Sequence, residues 1–594
     1  MTTNEKIALL RKAMEREQVD AAVIPSSDPH LSEYVPDYYT ARAYLSGFTG
    51  SAGTLVVTKE GSYLWADGRY YIQAERQIAG SEIQLMKLGM PDVPGVTKWL
   101  SEELGEGQTV GIDGRLFSVK FKEDLEKAFE RKKLKLSIGH DFVSQVWTEG
   151  RPAMPGEPAF LHDVKYTGLT AAEKLAKVRE KMDKEGAQCY LISALDSIAW
   201  LLNIRGWDIE CNPVVISFVL LTPDKTYFFV DEKKVAGAVG EALAKAGVTV
   251  LPYEQVYETL GTVQGSIAFD AGRTNCALEA AIPQGVKRMP MADIAYTLKA
   301  EKNDTEVACM REANLKDDTA VTKFLYWIDQ NVGKMPITEY DVGDKLIELR
   351  KEQEGYLGEG FGVIAAYRAN AAMMHYSASK DSCAEIKPEG MLLVDTGGQY
   401  YEGTTDITRT MVLGPITEEE KHDFTYVLKS AIGLMSAKFL SDTYSGSLDV
   451  LARQPLWDVG LDYKCGTGHG VGFCLNVHEG PQGFYRSAMG VIMKPGMITT
   501  VEPGVYKEDK FGIRTENTVV CVKDEETPYG GQFCKFEMIS FCPIDRRAID
   551  PALLSDKELE FLNNYHAQVL EKIGPRLNAE ERAWLAEMCK PMVK

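Results

Sequence analysis

The stretch LLVDTGGQYYEGTTDITRT, Leu392 to Thr410, decides how the C-terminal half of this chain is read. It is an apolar strand run that ends on Asp395, a glycine-rich turn, and a second strand run that opens on Asp406. Two carboxylates brought together at the ends of neighbouring strands are costly to bury unless a positive charge lies between them. The stretch therefore asks for a cation.

The surrounding sequence supplies partners. Three of the eight histidines, His375, His469 and His478, fall near these carboxylates. His469 and His478 belong to CGTGHGVGFCLNVHEGP, Cys465–Pro481, where flanking glycines let backbone approach the imidazole closely. MITTVEPGVY, Met497–Tyr506, reads as a strand ending on Glu502 before a Pro-Gly turn. FGIRTENTVVC, Phe511–Cys521, places Glu516 inside a strand. Taken singly, an aspartate at a strand end is ordinarily a turn residue; the set of two Asp, one His and two Glu is what points to metal. Oxygen-rich ligands suit hard divalent ions such as manganese, zinc less obviously. Four carboxylates exceed the charge of one such ion, so two ions sharing ligands balance them better. Such a site favours hydrolysis of an amide or of a phosphate ester.

The rest of the chain bounds the setting. Its 594 residues suggest about three or four domains. Hydrophobic residues make 45% and charged residues 26%, an ordinary globular mixture. The net charge of −20 argues against nucleic acid or an anionic membrane as partner, and mostly reflects solubility. The opening MTTNEKIALLRKAMEREQVD is an amphipathic helix pattern without the apolar core of a signal peptide, and EMCKPMVK is no lipid-anchor tail. Eleven scattered cysteines, odd in number and without CxxC spacing, read as thiols of a cytoplasmic protein.

A self-similarity organises the N-terminal half. MEREQVDAAVIPSSD (Met14–Asp28) resembles MDKEGAQCYLISALD (Met182–Asp196), an interval of 168 residues. That is too long for a solenoid repeat and indicates two copies of one α/β domain. RPAMPGEPAF, Arg151–Phe160, with three prolines, reads as a linker. A helix with Asn303 or Asp304 as its N-cap opens a third, larger domain, which two helices close at the C-terminus. The expected division is 1–158, 159–301 and 302–594.

DTGGQYYEGTTDITRT, GTGHGVG, NVHEGP, VEPGVY and GIRTEN together resemble the pita-bread metallopeptidases, the family that includes methionine aminopeptidase, prolidase and aminopeptidase P. Chain length, SGFTGSAG and WADGRYYIQA are similar to its long, three-domain Xaa-Pro aminopeptidase branch. The resemblance covers nearly the whole chain. It implies an α/β protein with two creatinase-like N-terminal α/β domains and a C-terminal pita-bread (α+β) catalytic domain. It implies a metal-dependent aminopeptidase that removes the residue before a proline by attack of a hydroxide bridging two divalent ions. Mn2+ is the expected metal, with Zn2+ or Co2+ as alternatives.

Carried over by position, the resemblance makes Asp395, Asp406, His469, Glu502 and Glu516 the metal ligands. Asp406 and Glu516 would bridge both ions, Asp395 would chelate one, and His469 and Glu502 would bind the other. Glu502 would also shuttle protons. His375 would lie beside the substrate, His478 would stabilise the tetrahedral intermediate, and Arg514 would support the site. The implied partners are peptides with an Xaa-Pro N-terminus and a second copy of the chain. One position departs: the family usually has histidine where this chain has Cys465, and a neutral thiol cannot replace an imidazolium as donor. Prolidase, usually shorter, is the enzymatic rival. A non-catalytic pita-bread binding module is the rival of another class, and those have lost ligands that this chain keeps.

Overall fold

A computed structural model describes residues 1–594, Ser487 by its backbone only. The chain forms two compact units, Met1–Val164 with Leu169–Thr297, and Lys165–Gly168 with Leu298–Lys594.

The first unit holds the duplication. Helix α1 (Thr3–Arg16) starts with a capping box in which Thr2 and Glu5 satisfy each other's backbone. Helix α2 (Ala171–Glu185) starts with the same box, built by Thr170 and Glu173, 168 residues later. The strands that follow are β1 (Ala21–Pro25), β2 (Thr54–Thr58), β3 (Ser62–Ala66), β4 (Ile83–Lys87), β5 (Thr109–Gly111) and β6 (Lys135–Ser137). The second copy has β7 (Cys189–Ile192), β8 (Ser217–Leu221), β9 (Thr226–Val230), β10 (Val248–Pro252), β11 (Ser266–Phe269) and β12 (Lys287–Pro290). The sheet orders are β4-β3-β2-β1-β5-β6 and β10-β9-β8-β7-β11-β12, the same arrangement twice. In each, the central strand pairs antiparallel with the next strand and parallel with the fifth, so both kinds of connection recur. Residues 151–159 between the copies form no regular element.

The second unit opens with helix α3 (Asp304–Asn331), capped by Asn303 in a capping box with Glu306. Helix α4 (Glu339–Arg350) follows, then strands β13 (Ile364–Tyr367), β14 (Met391–Thr396) and β15 (Ile407–Val412), antiparallel in that order. Phe324, Ile328 and Leu346 of the helices pack on Leu392, Val394 and Ile407 of the sheet. Helices α5 (Glu418–Met435) and α6 (Ser445–Trp457) accompany a second sheet. Its strands are β16 (Lys438–Leu440), β17 (Gly468–Gly470), β18 (Glu479–Phe484), β19 (Ile498–Val501), β22 (Asn517–Thr527) and β23 (Gly531–Met538), in the order β16-β23-β22-β19-β17-β18. Between them in sequence lies the hairpin of β20 (Gly504–Lys507) and β21 (Phe511–Arg514). Phe424, Val427 and Leu428 of α5 bury against Phe484, Ile513, Val519 and Phe536. Each sheet thus packs against a helix pair, the layering expected of a pita-bread domain. Helices α7 (Asp556–Ile573) and α8 (Ala579–Met588) close the chain.

Candidate metal centre

The five expected ligands stand at or beside strand ends of the second unit. Asp395 is the penultimate residue of β14 and lies directly opposite Thr408 of β15. Asp406 immediately precedes β15, and its carbonyl accepts from Thr518 Oγ1 at 3.0 Å. Glu502 follows β19, its N–H donating to the Thr467 carbonyl at 2.7 Å, one residue short of β17. His469 is the middle residue of β17. A Cβ on Gly468 would run into the Thr500 carbonyl, so only glycine lets β17 lie this close to β19.

Glu516 differs from the sequence expectation. It lies not inside a strand but in the break between β21 and β22, where the chain leaves the hairpin for the long sheet. The break frees its backbone to pair elsewhere. Its N–H donates to the Thr408 carbonyl at 3.2 Å, and its Oε2 accepts from Thr408 Oγ1 at 2.7 Å. Glu516 is therefore anchored to β15, across more than a hundred residues of sequence.

Asp406, His469 and Glu516 each present a ligand atom, all within 4.8 Å of one another. His469 Nε2 is 3.3 Å from Asp406 Oδ2 and 3.5 Å from Glu502 Oε1. Its Nδ1 is 2.9 Å from the Gly470 carbonyl, which holds a proton on that nitrogen and aims Nε2 at the carboxylates. Asp395 pairs with the Arg514 guanidinium. Arg514 also donates to Tyr506 Oη at 2.6 Å and to Thr408 Oγ1 at 3.1 Å. His478 meets the His469 ring edge-to-face at 4.2 Å. His375 is half-buried in the turn after the short helix Arg368–Ala372. Cys465 is half-buried; burial, and then the Glu502 charge, push its thiol up to about 12, so it carries no charge at neutral pH.

The electrostatics show crowded negative charge. Burial, then the charges of Asp395 and Glu502, hold Asp406 at about 6 despite its hydrogen bond to His469. Burial, then Asp406, Glu502 and Asp395, drive Glu516 well above the usual carboxylate range. Burial works to lower His469, but the Asp406 hydrogen bond and the Glu502 and Asp406 charges outweigh it and raise it to about 9. Asp395 Oδ1 and Glu516 Oε1 are buried and accept from no protein donor. Orphaned carboxylate oxygens of this kind are expensive unless a cation takes them. The donor set of four carboxylates and one imidazole fits divalent ions.

Several supporting residues were not singled out in the sequence. Thr408 and Thr410 face the centre on alternate positions of β15: Thr408 reaches Glu516 and Arg514, and Thr410 exchanges hydrogen bonds with the Arg514 backbone. Arg409, on the opposite face, bonds the Glu516 carbonyl, Asn517 and Tyr565. The alternation in DITRT was the available signal. Glu479, next to His478, is buried with Lys299 at 2.6 Å and with Lys302; nothing local in the sequence links them.

Known proteins match the chain throughout. The model of metallopeptidase family M24 covers residues 308–523, and that of the C-terminal region of peptidase M24 covers 532–592. Models of the creatinase/prolidase N-terminal domain cover 6–138 and 150–306. Aminopeptidase P2 of Arabidopsis thaliana is 38% identical over 635 residues, spanning 100% of this chain and 89% of its own length. Probable Xaa-Pro aminopeptidase P of Laccaria bicolor is 38% identical, spanning 100% and 94%. The crystal structure of an X-prolyl aminopeptidase from Caenorhabditis elegans, described as a cytosolic enzyme with a di-nuclear active site, superposes with a TM-score of 0.96 at 35% identity over 100% of both chains. A Xaa-Pro dipeptidase from Bacillus anthracis shares the fold over 63% of this chain, with a TM-score of 0.51 at 23% identity. The chain belongs to metallopeptidase family M24, as a hydrolase that carries two creatinase/prolidase N-terminal domains ahead of its pita-bread domain.

Proposed function

We propose that this metallopeptidase removes the N-terminal residue from peptides with proline in second position. The observation that carries the reading is the buried carboxylate cluster with its orphaned oxygens, in a chain matched end to end by Xaa-Pro aminopeptidase relatives. Prolidase fits less well, because the relatives that match the chain over its full length are aminopeptidases by name.

Asp395, Asp406, His469, Glu502 and Glu516 would hold two divalent ions, Mn2+ best by donor type, with Zn2+ or Co2+ as alternatives. When bound, such ions polarise a carbonyl and acidify water. The protein's own groups do the rest. Glu502 is the most open of the five ligands, its side chain 21% exposed against 6% for Asp406. It is the carboxylate placed to take a proton from attacking water and return it to the leaving nitrogen. His478, packed on His469, donates to the developing oxyanion, and His375 lines the substrate side. Arg514 offsets the charge of Asp395 and fixes its orientation. The test is to restore Mn2+ to the metal-free chain and follow release of one residue from an Xaa-Pro-Xaa peptide. Amounts of free N-terminal amino acid no greater than without metal would end the proposal.

Metal loading should depend on pH. Below about 9 His469 carries a proton on the nitrogen that would ligate, and Glu516 also holds its proton above the usual range. Binding must expel these protons, so affinity falls as pH falls, about tenfold per unit for each proton released. Calorimetry at neutral pH in buffers of different ionisation heats should report at least one proton released per chain. A buffer-independent heat would contradict the ligand assignment.

The proposed assembly is a homodimer in the cytosol. The C. elegans relative is described as cytosolic, and all eleven cysteines are free thiols. Among the described residues no helix is long and apolar enough to cross a membrane. Val450, Leu451 and Trp457 form an exposed apolar stripe on α6, near exposed Tyr444 and Met489. An unpaired stripe of this kind marks an association surface. The double variant Val450→Asp, Leu451→Asp should sediment as a monomer while the parent sediments as a dimer. Equal sedimentation of the two would remove this face from the assembly.

A further inference from the structure

Glu339 is the first residue of α4 and only 1% exposed. It is not needed to start the helix, because Thr338 and Asp341 already form a capping box there. Its two oxygens instead collect donors from one distant loop. Oε1 accepts from the Tyr367 N–H at 2.7 Å and from Asn370 Nδ2 at 3.0 Å. Oε2 accepts from Tyr376 Oη at 2.8 Å and from the Ala384 N–H at 2.7 Å. These donors come from Tyr367, the residue that leads into loop 368–384, and from the middle and the exit of that loop. Asn370 Nδ2 also reaches Tyr376 Oη at 3.2 Å, closing the network on itself. His375 lies inside it, between two residues that the carboxylate holds.

The same loop is fixed on its other side. It opens at Arg368 with φ +51°, a left-handed conformation that a non-glycine residue keeps only when its surroundings impose it. The helix that follows sits on β21 so closely that a Cβ on Gly512 would overlap the Ala371 carbonyl. β21 ends at Arg514, which pairs with Asp395. The loop is therefore clamped between Glu339 and the strand that serves the metal centre.

We infer that Glu339 is a positioning residue, whose carboxylate sets the 368–384 loop so that His375 meets the substrate. The inference rests on the proposal that His375 lines the substrate side. A carboxylate is suited to the task because both oxygens accept only; a glutamine of equal size would turn an NH2 group toward at least one of these donors.

The test compares Glu339→Gln, Tyr376→Phe, His375→Ala and the double variant Glu339→Gln, His375→Ala, each as the metal-loaded full chain. Misplacing a substrate-contacting loop by about 1 Å costs on the order of 10²-fold. Glu339→Gln should therefore lower kcat/KM on an Xaa-Pro-Xaa peptide by about 10- to 100-fold, with the same split between KM and kcat as His375→Ala. Metal content by elemental analysis should equal that of the parent. In the His375→Ala background Glu339→Gln should add less than about threefold, since both act through one side chain. Tyr376→Phe removes one donor only and should show a smaller loss of the same kind, which serves if Glu339→Gln does not fold. Losses that multiply in the double variant, or that track metal content, would assign Glu339 to general stability and overturn the inference. An impaired His375→Ala beside an unimpaired Glu339→Gln would overturn the inference alone. A silent His375→Ala would remove the underlying reading of His375 and the inference with it.

Discussion

Glu516→Gln is expected to fold, to lose metal, and to lose activity by more than about 10³-fold. The amide keeps the shape of the side chain and can still accept from Thr408 Oγ1, while Arg409 and Thr408 continue to hold the backbone. What it removes is the charge at a buried oxygen that has no protein donor. Lewis-acid stabilisation is worth several kcal/mol, and each 1.36 kcal/mol is about tenfold in rate. Elemental analysis should find the variant depleted in metal, and a variant that retains two ions and normal turnover would refute the assignment of Glu516. A second readout does not involve activity. A carboxylate whose folded-state pKa is raised takes up a proton on folding. It therefore costs stability once pH exceeds the ordinary carboxylate value, and the cost is complete above the raised value. At neutral pH the metal-free Glu516→Gln chain should melt above the metal-free parent, although the metal-loaded parent should melt above both.

Replacing proline by alanine in the second position of the peptide, or acetylating its N-terminal amine, should nearly abolish cleavage. A proline nitrogen has no N–H, so the site cannot choose it by accepting a hydrogen bond. Choice must rest on the shape of the pyrrolidine ring and on proton delivery to the leaving nitrogen, for which Glu502 is the most open carboxylate. The free amine matters for a different reason: an ammonium finds complementary charge among four carboxylates, and an acetamide does not. Short Xaa-Pro peptides populate both isomers, and the site should consume the trans form, leaving a slow phase limited by isomerisation. Rates on the alanine or acetylated peptides comparable to those on the parent would leave only a generic metallohydrolase.

How much of this was legible beforehand varied with the range of the interactions. Strand ends and turns are local features, so Asp395, Asp406, Glu502 and the glycines near His469 could be picked out as a set. The N-cap at Asn303 or Asp304 is equally local, and the structure shows it to be Asn303. The run ENTVV predicts Glu516 inside a strand; the break before Asn517 exists because Glu516 pairs with Thr408, which no window around it reveals. The partner of Arg514 is likewise fixed by how β21 meets β14 and β15. Glu339 was invisible for the same reason: in sequence it is one acidic residue in the first turn of a helix, the commonest place for one. Its meaning comes from a loop 28 to 45 residues downstream.

The twin sheets of the first unit carry a consequence for synthesis. Two neighbouring sheets with one strand order invite exchange, since a strand emerging late can fit geometrically into the slot of its earlier counterpart. The two central strands differ where such a swap would be tested. Ala22 of β1 and Tyr190 of β7 stand 168 residues apart at matching positions, and both are fully buried. A phenol forced into the alanine site overfills it, and its hydroxyl leaves behind the Asp293 carboxylate that it bonds in its own sheet. Divergence between the copies thus opposes exchange in both directions: the first copy rejects the second's strand by volume and by an unmet hydroxyl, and Ala22 in the Tyr190 site would leave a void and deprive Asp293 of its donor.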